Sequence, residues 1–151
     1  MANNYVQGTI TPHIPLTDVQ REALGIEMED IPVPPAEWSE AEALRARWSD
    51  EYGTNEWTSG LTAAPDGRGA FYLYTEEGGL ETGFDAVLQE ILRGLPETEY
   101  PFIEYEAAAA CSAMRQGEFG GLACLITRGD IQWMTTGGWL RDAKAALKGG
   151  G

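Results

Sequence analysis

The spacing of hydrophobic residues changes along the chain, and it predicts where helices and strands lie. The clearest helix is predicted over residues 83–95, where large apolar side chains recur three and four positions apart. These are Phe84, Val87, Leu88, Ile91, Leu92 and Leu95. Such a stripe predicts a helix that lies across a sheet, and Gly94 and Pro96 are expected to end it.

Alternating polar and apolar residues predict strands in the first half of the chain. Residues 5–10 form the first, and Pro12 and Pro15 are expected to keep it from extending far, because proline has no N–H to donate. Residues 57–63 predict an edge strand that turns through Pro65-Asp66-Gly67 into an aromatic strand at residues 71–74.

Three more strands are predicted after Pro101. In the first, Ile103, Tyr105, Ala107, Ala109 and Cys111 share one face, whereas Glu104 and Glu106 share the other. Residues 122–127 and 131–134 predict two further strands joined by a tight turn at Arg128-Gly129-Asp130.

Capping patterns predict where two other helices begin. Thr17 stands three residues before Gln20, which predicts a capping box and a helix from about Asp18 to Met28. Ser39 and Glu42 repeat the spacing and predict a second helix that ends at Gly53. A short final helix is predicted where Trp139, Leu140, Ala143 and Leu147 recur.

The order of these elements predicts an α+β fold. A chain of 151 residues without a linker or internal repeat suits a single domain, assigned to residues 1–148, with residues 149–151 as a disordered tail. The sheet is expected to be antiparallel or mixed, with helices mainly on one face.

Charge narrows the class of partner. The formal net charge is -14, and residues 1–106 hold 21 acidic and 5 basic residues, whereas residues 107–151 hold 3 and 5. This balance argues against direct nucleic-acid binding and favours either a solvated acidic surface or one that binds a basic protein. The oligomeric state stays open.

The cytoplasm is the predicted location, because the chain has no apolar run of about 18 residues and begins without a signal-peptide pattern. Its two cysteines, Cys111 and Cys124, lie in apolar strand-like segments and are predicted to be buried thiols. A disulfide between them stays open as an alternative if their strands pair. The five tryptophans are interpreted mainly as core residues.

Few residues suggest catalysis, and no cofactor is predicted. His13, between two prolines, is predicted to lie in a loop without a catalytic partner, and metal-site and phosphate-loop motifs are missing from the sequence. Two groups of carboxylates are candidates for partner binding: Glu27, Glu29 and Asp30, and Glu104 with Glu106. On a concave sheet face the second group would also suit an acid/base pair.

One segment near the C-terminus combines groups that can bind an anion. Ser112 supplies a hydroxyl, Arg115 a planar fork of donors, and Gly120 and Gly121 an accessible backbone. The alternative is a structural turn in which Arg115 pairs with Glu118 or with an acidic strand.

The chain resembles a group of small proteins of bacteriophage and plasmid gene sets that have no assigned activity. The resemblance covers Pro15-Leu16-Thr17, Glu76-Glu77-Gly78, the helix from Phe84, and a Cys-Ser-x-x-Arg-x-x-x-Phe-Gly-Gly segment. In that segment a Lys-Pro pair of the group is replaced by Ala113-Met114. The resemblance implies a mobile-element origin and suggests an accessory or anti-defence protein.

The sequence therefore suggests two functions. The first is a non-enzymatic, acidic interaction protein, such as a phage or plasmid inhibitor that binds a basic surface of a host nucleic-acid-handling complex. The second is a domain for a small anionic, nucleotide-like ligand, acting as a sponge or an enzyme through Arg115 and Gly120-Gly121.

Overall fold

The amphipathic stripe predicted around Leu88 forms a helix that packs on a sheet. The computed structural model describes residues 4–52, 57–75, 82–111 and 120–149. Within them the helix begins at Phe84, ends at Arg93 and buries Phe84, Val87, Leu88, Ile91 and Leu92. Gly94 caps its C-terminus by donating its N–H to the carbonyl of Ile91.

The described residues form six strands and four α-helices. In chain order these are β1 (Asn4–Ile14), α1 (Asp18–Ala23), α2 (Trp38–Tyr52), β2 (Thr62–Pro65), β3 (Phe71–Thr75), α3 (Phe84–Arg93), β4 (Ile103–Cys111), β5 (Gly120–Ile126), β6 (Ile131–Thr135) and α4 (Thr136–Gly149). A 3-10 turn at Pro35–Glu37 leads directly into α2.

The six strands form one open sheet in the order β2-β3-β1-β4-β5-β6, and every neighbouring pair is antiparallel. The predicted single-domain α+β fold is confirmed, with the sheet antiparallel rather than mixed. The core lies between the sheet and the helices, where Ile10, Leu73, Ile103 and Ile126 are fully buried.

The sequence predicted that the first strand would cover residues 5–10. β1 instead continues through Pro12 and ends at Ile14, directly before Pro15. Its pairing with β4 finishes at Thr11, and its register with β3 shifts between Ile10 and Ile14. Pro12 therefore sits at an irregularity where no ladder hydrogen bond is lost.

The first helix is shorter than predicted. The capping box between Thr17 and Gln20 is present, but α1 ends at Ala23 rather than near Met28. Gly25 has a φ of +78°, a left-handed conformation that glycine adopts without cost and that stops helical hydrogen bonding.

The second helix begins earlier than its predicted capping box. Pro35 starts the 3-10 turn, and Trp38 donates its backbone N–H to the carbonyl of Pro35. Because the chain is already helical there, Ser39 lies inside α2 and the predicted cap is wrong. The predicted end at Gly53 lies outside the described residues.

The predicted edge strand at residues 57–63 is displaced toward the turn, so that β2 covers only Thr62–Pro65. The preceding residues form an irregular segment in which Trp57, Ser59 and Leu61 are buried. The backbone N–H and hydroxyl of Ser59 both donate to the carbonyl of Leu24. These bonds hold the segment against the end of α1 instead of in the sheet.

Cys124 is a buried free thiol on the core side of the sheet, as predicted, and burial raises its pKa to about 12. It pairs with Tyr105, six residues from Cys111 on β4. That offset is roughly 20 Å along a strand, far beyond the roughly 7 Å limit for a disulfide, so a bridge between these cysteines is excluded. The side chain of Cys111 lies outside the described part.

The tryptophans are not mainly core residues, which corrects the sequence-based interpretation. Trp48 and Trp57 are buried and pack edge to face, with ring centroids 5.8 Å apart. The other three, Trp38, Trp133 and Trp139, are about half exposed or more.

Candidate interaction surface

The register of the sheet separates a core face from a solvent face. On β4, Ile103, Tyr105 and Ala107 are buried, whereas Glu104 and Glu106 are exposed on the opposite face, as their alternation predicted. Thr9 and Thr11 of β1 lie opposite these two glutamates, which places the β1 threonines on the solvent face as well.

Strand pairing extends this solvent face across the whole sheet, and we call it the open face. Its central residues are Thr9, Thr11, Tyr72, Tyr74, Glu104, Glu106, Ala108, Gly121, Ala123, Leu125, Gln132 and Met134. The side chains of β1 before Gln7 and of β4 after Ala108 are outside the described set.

Two adjoining shallow depressions of about 660 and 600 Å³ occupy the open face. They share Thr9, Glu106, Ala123 and Met134. The larger is bounded by Tyr72 and Tyr74, whose rings stack with centroids 5.2 Å apart. The surface is therefore concave and combines aromatic, methyl and thioether groups.

Glu104 and Glu106 carry the charge of this surface. No His, Lys or Arg is found among the described residues that line the two depressions. The hydroxyl of Thr11 lies 3.4 Å from Glu104 Oε2, which is a long hydrogen bond to an exposed carboxylate. Both carboxylates are open to solvent.

The other predicted carboxylate cluster lies elsewhere. Glu27, Glu29 and Asp30 are exposed in the connection between α1 and α2. Glu27 lines a small cavity of about 220 Å³ with Arg21 and Ile31, and none of its lining residues belongs to the open face. The sequence identified these carboxylates as two groups but could not show whether they share a surface, because that depends on how distant segments pack.

The predicted anion-binding segment is described only at its end. Ser112, Arg115 and Glu118 lie outside the described residues, whereas Gly120 and Gly121 begin β5. The backbone N–H of Gly121 donates to Thr136 Oγ1 at 3.1 Å. This N–H is already used within the chain, so it is not a free donor for an anion.

His13 has a partner that its spacing did not reveal. It lies on β1 rather than in the predicted loop, and its Nδ1 is 3.2 Å from Asp66 Oδ2. The pKa of Asp66 is lowered, chiefly because the backbone N–H of Arg68 donates to the carboxylate, with Ala70 and His13 adding to the effect. Asp66 therefore stabilises the β2–β3 turn, and its contact with His13 is interpreted as structural.

Other site classes find no support within residues 4–52, 57–75, 82–111 and 120–149. These ranges contain no group of three or more His, Cys, Asp or Glu side chains placed to hold a metal ion. None of their helices combines the length and apolar character needed to cross a membrane. No protein family, curated protein or solved structure matches the chain.

Proposed function

We propose that this chain is a non-enzymatic interaction protein whose open face binds a basic surface of a protein partner. The observation that carries the proposal is a concave sheet face, left open by the described helices and loops, on which aromatic and apolar side chains surround two exposed carboxylates, Glu104 and Glu106. A partner there would bury Tyr72, Tyr74 and Met134 and place its own Lys or Arg side chains beside the glutamates.

The composition of the open face distinguishes it from an ordinary solvated sheet face. Antiparallel sheets commonly present polar side chains of both charges to water on their free side. Here the small residues Ala108, Gly121 and Ala123 form the floor of the larger depression, and Tyr72 and Met134 lie at its margins. Aromatic residues and methionine are enriched at protein interfaces, and small central residues leave space for a partner's side chains.

The net charge of -14 adds long-range attraction to this local complementarity. A strongly acidic protein is drawn toward a basic surface over distances of about a Debye length, near 10 Å at 0.1 M salt. The attraction raises the association rate and makes binding sensitive to salt. The resemblance to phage and plasmid proteins suggests a host nucleic-acid-handling complex in the cytoplasm as the source of such a surface.

The test compares two double variants that remove equal charge. Glu104→Gln with Glu106→Gln neutralises the open face, whereas Glu97→Gln with Glu99→Gln neutralises two exposed glutamates in the turn before β4. A basic protein captured from host lysate and then purified is titrated with each variant. We expect the open-face variant to bind about tenfold more weakly at low salt and the turn variant to bind within about twofold of the unmodified chain.

The salt dependence of binding and an Arg115→Ala variant distinguish this proposal from the anionic-ligand hypothesis. Raising the salt to about 1 M shortens the Debye length to roughly 3 Å, so the difference between the two variants should shrink. If Arg115→Ala abolishes binding while the open-face variant keeps full affinity at all salt concentrations, the anionic-ligand hypothesis replaces this one.

A further inference from the structure

The last helix stands apart from the core. α4 follows β6 without a connecting residue, and it contacts the rest of the fold at β5 and β6. From Trp139 to Lys148 every side chain except Ala143 is exposed, including Trp139 at 60%, Leu140 at 50% and Leu147 at 80%. These are large apolar groups to leave in water.

The sequence of α4 is amphipathic. Trp139, Ala143 and Leu147 lie four residues apart along one side of the helix, with Leu140 beside them. Arg141, Lys144 and Lys148 lie three and four residues apart on another side. A helix of this length is only marginally stable in water unless its apolar stripe packs against another surface. We therefore expect the apolar stripe of α4 to be buried in the functional state of the protein.

The open face has the complementary chemistry. Its depressions offer Tyr72, Tyr74 and Met134 to an apolar stripe and Glu104 and Glu106 to cationic side chains. Three basic residues and one acidic residue on α4 give it a local charge opposite to that of the surrounding chain. Each copy of the chain thus carries both halves of one interface.

We propose that two copies of the chain associate about a twofold axis, with α4 of each copy lying across the open face of the other. Such an exchange satisfies both helices and both faces at once and closes without leaving an unfilled site. In it, Trp139 and Leu147 fill the depressions, and Lys144 and Lys148 approach Glu104 and Glu106 of the second copy.

A second copy fits better than the chain's own face. Thr136, the first residue of α4, lines the larger depression and accepts a hydrogen bond from the backbone N–H of Gly121. Because β6 and α4 are consecutive, α4 can lie over its own open face only if the chain reverses at this junction, where Thr136 makes that bond. A helix from a second chain meets no such constraint.

Self-association would regulate the access of a basic partner to the open face. A dimer covers the open face, so a basic partner and a second copy compete for it, and the bound fraction depends on chain concentration. This competition rests on the proposed function, whereas the pairing itself does not.

The test is a charge-reversal exchange read by sedimentation velocity on the full chain across a concentration series. Glu104→Lys with Glu106→Lys reverses the face, and Lys144→Glu with Lys148→Glu reverses the helix. We expect a dimer for the unmodified chain, and a dimer dissociation constant at least about tenfold higher for each variant alone. Mixed in equal amounts, the two variants should again form a dimer, because both contacts are then between opposite charges.

Matched reversal at Glu97→Lys with Glu99→Lys serves as the control and should leave the dimer intact. The inference is overturned if the unmodified chain is monomeric throughout, if the face variant remains a dimer, or if the mixture stays monomeric. The helix variant keeps an intact open face, so its affinity for a purified basic partner tests the proposed function separately. Loss of partner binding there counts against the proposed function, and loss of pairing alone does not.

Discussion

Replacing Leu88 with Ala is expected to lower the free energy of unfolding by about 2 to 5 kcal/mol. Leu88 is fully buried at the centre of the α3 stripe, between Phe84 and Ile91, where the helix packs on the sheet. Truncation removes apolar surface from the core and leaves a cavity that the neighbours fill only in part. Urea unfolding should show a lower midpoint with an unchanged denaturant slope.

The control is the same chemical change at an exposed site. Leu147→Ala, on α4, should alter the free energy of unfolding by no more than about 0.5 kcal/mol when measured on the monomer. Equal midpoints for the Leu88 and Leu147 variants would contradict the assignment of α3 to the core.

Replacing Glu90 with Ala is expected to cost about 2 kcal/mol, because three hydrogen bonds converge on its carboxylate. Arg47 Nη1 and Nη2 donate to Oε1 and Oε2 at 2.7 Å each, and Trp48 Nε1 donates to Oε2 at 2.7 Å. The Arg47 pair is partly exposed and contributes modestly. The larger loss is the indole N–H of Trp48, which is 1% exposed and would be left without its acceptor.

Two variants isolate that loss by thermal or urea unfolding. Glu51→Ala removes another carboxylate near Arg47, at 3.4 Å, but an exposed one, and should cost no more than about 0.5 kcal/mol. Glu90→Gln keeps a carbonyl oxygen that can accept from Trp48 and should cost less than Glu90→Ala. If Glu51→Ala and Glu90→Ala destabilise equally, the carboxylate does not join α2 to α3.

The same carboxylate gives the stability a pH dependence. The hydrogen bonds from Arg47 lower the pKa of Glu90 below its ordinary value of 4.5, against the opposing effect of burial. Its stabilising contribution is therefore complete above pH 4.5 and is lost as the pH falls through the lowered folded-state pKa. The difference in stability between the unmodified chain and the Glu90→Ala variant should shrink across that acidic range.

Patterns confined to one element were predicted well from the sequence. The α3 stripe, the capping box of Thr17 and the alternation that separates Glu104 from Tyr105 each depend on neighbours a few residues apart. Such features can therefore be predicted without knowing which distant segments they contact.

Features that depend on register or on distant segments were not predicted. The strand continues through Pro12 because its pairing is irregular there, and His13 meets Asp66 from 53 residues away. The offset that keeps Cys111 from Cys124 is likewise a property of the β4–β5 register. Spacing along the chain carries no information about any of these.

The candidate surface was predicted only in part. Glu104 and Glu106 on β4 were identified from their alternation. Tyr72 and Tyr74 on β3 and Met134 on β6 were not grouped with them, since they come from two other strands. Periodicity also predicted a final helix without showing that Trp139 and Leu147 would be left uncovered. A hydrophobic stripe indicates that a face is apolar but not what packs on it.

Oxidative footprinting of the chain with and without its purified basic partner tests whether the open face is the binding surface. The chain is kept dilute enough to be monomeric. Binding at the open face should protect Tyr72, Tyr74 and Met134 from oxidation in the complex, whereas Trp38, exposed at the start of α2 on the helical side, should keep its oxidation rate. Protection of Trp38 with the three open-face residues unchanged would contradict it.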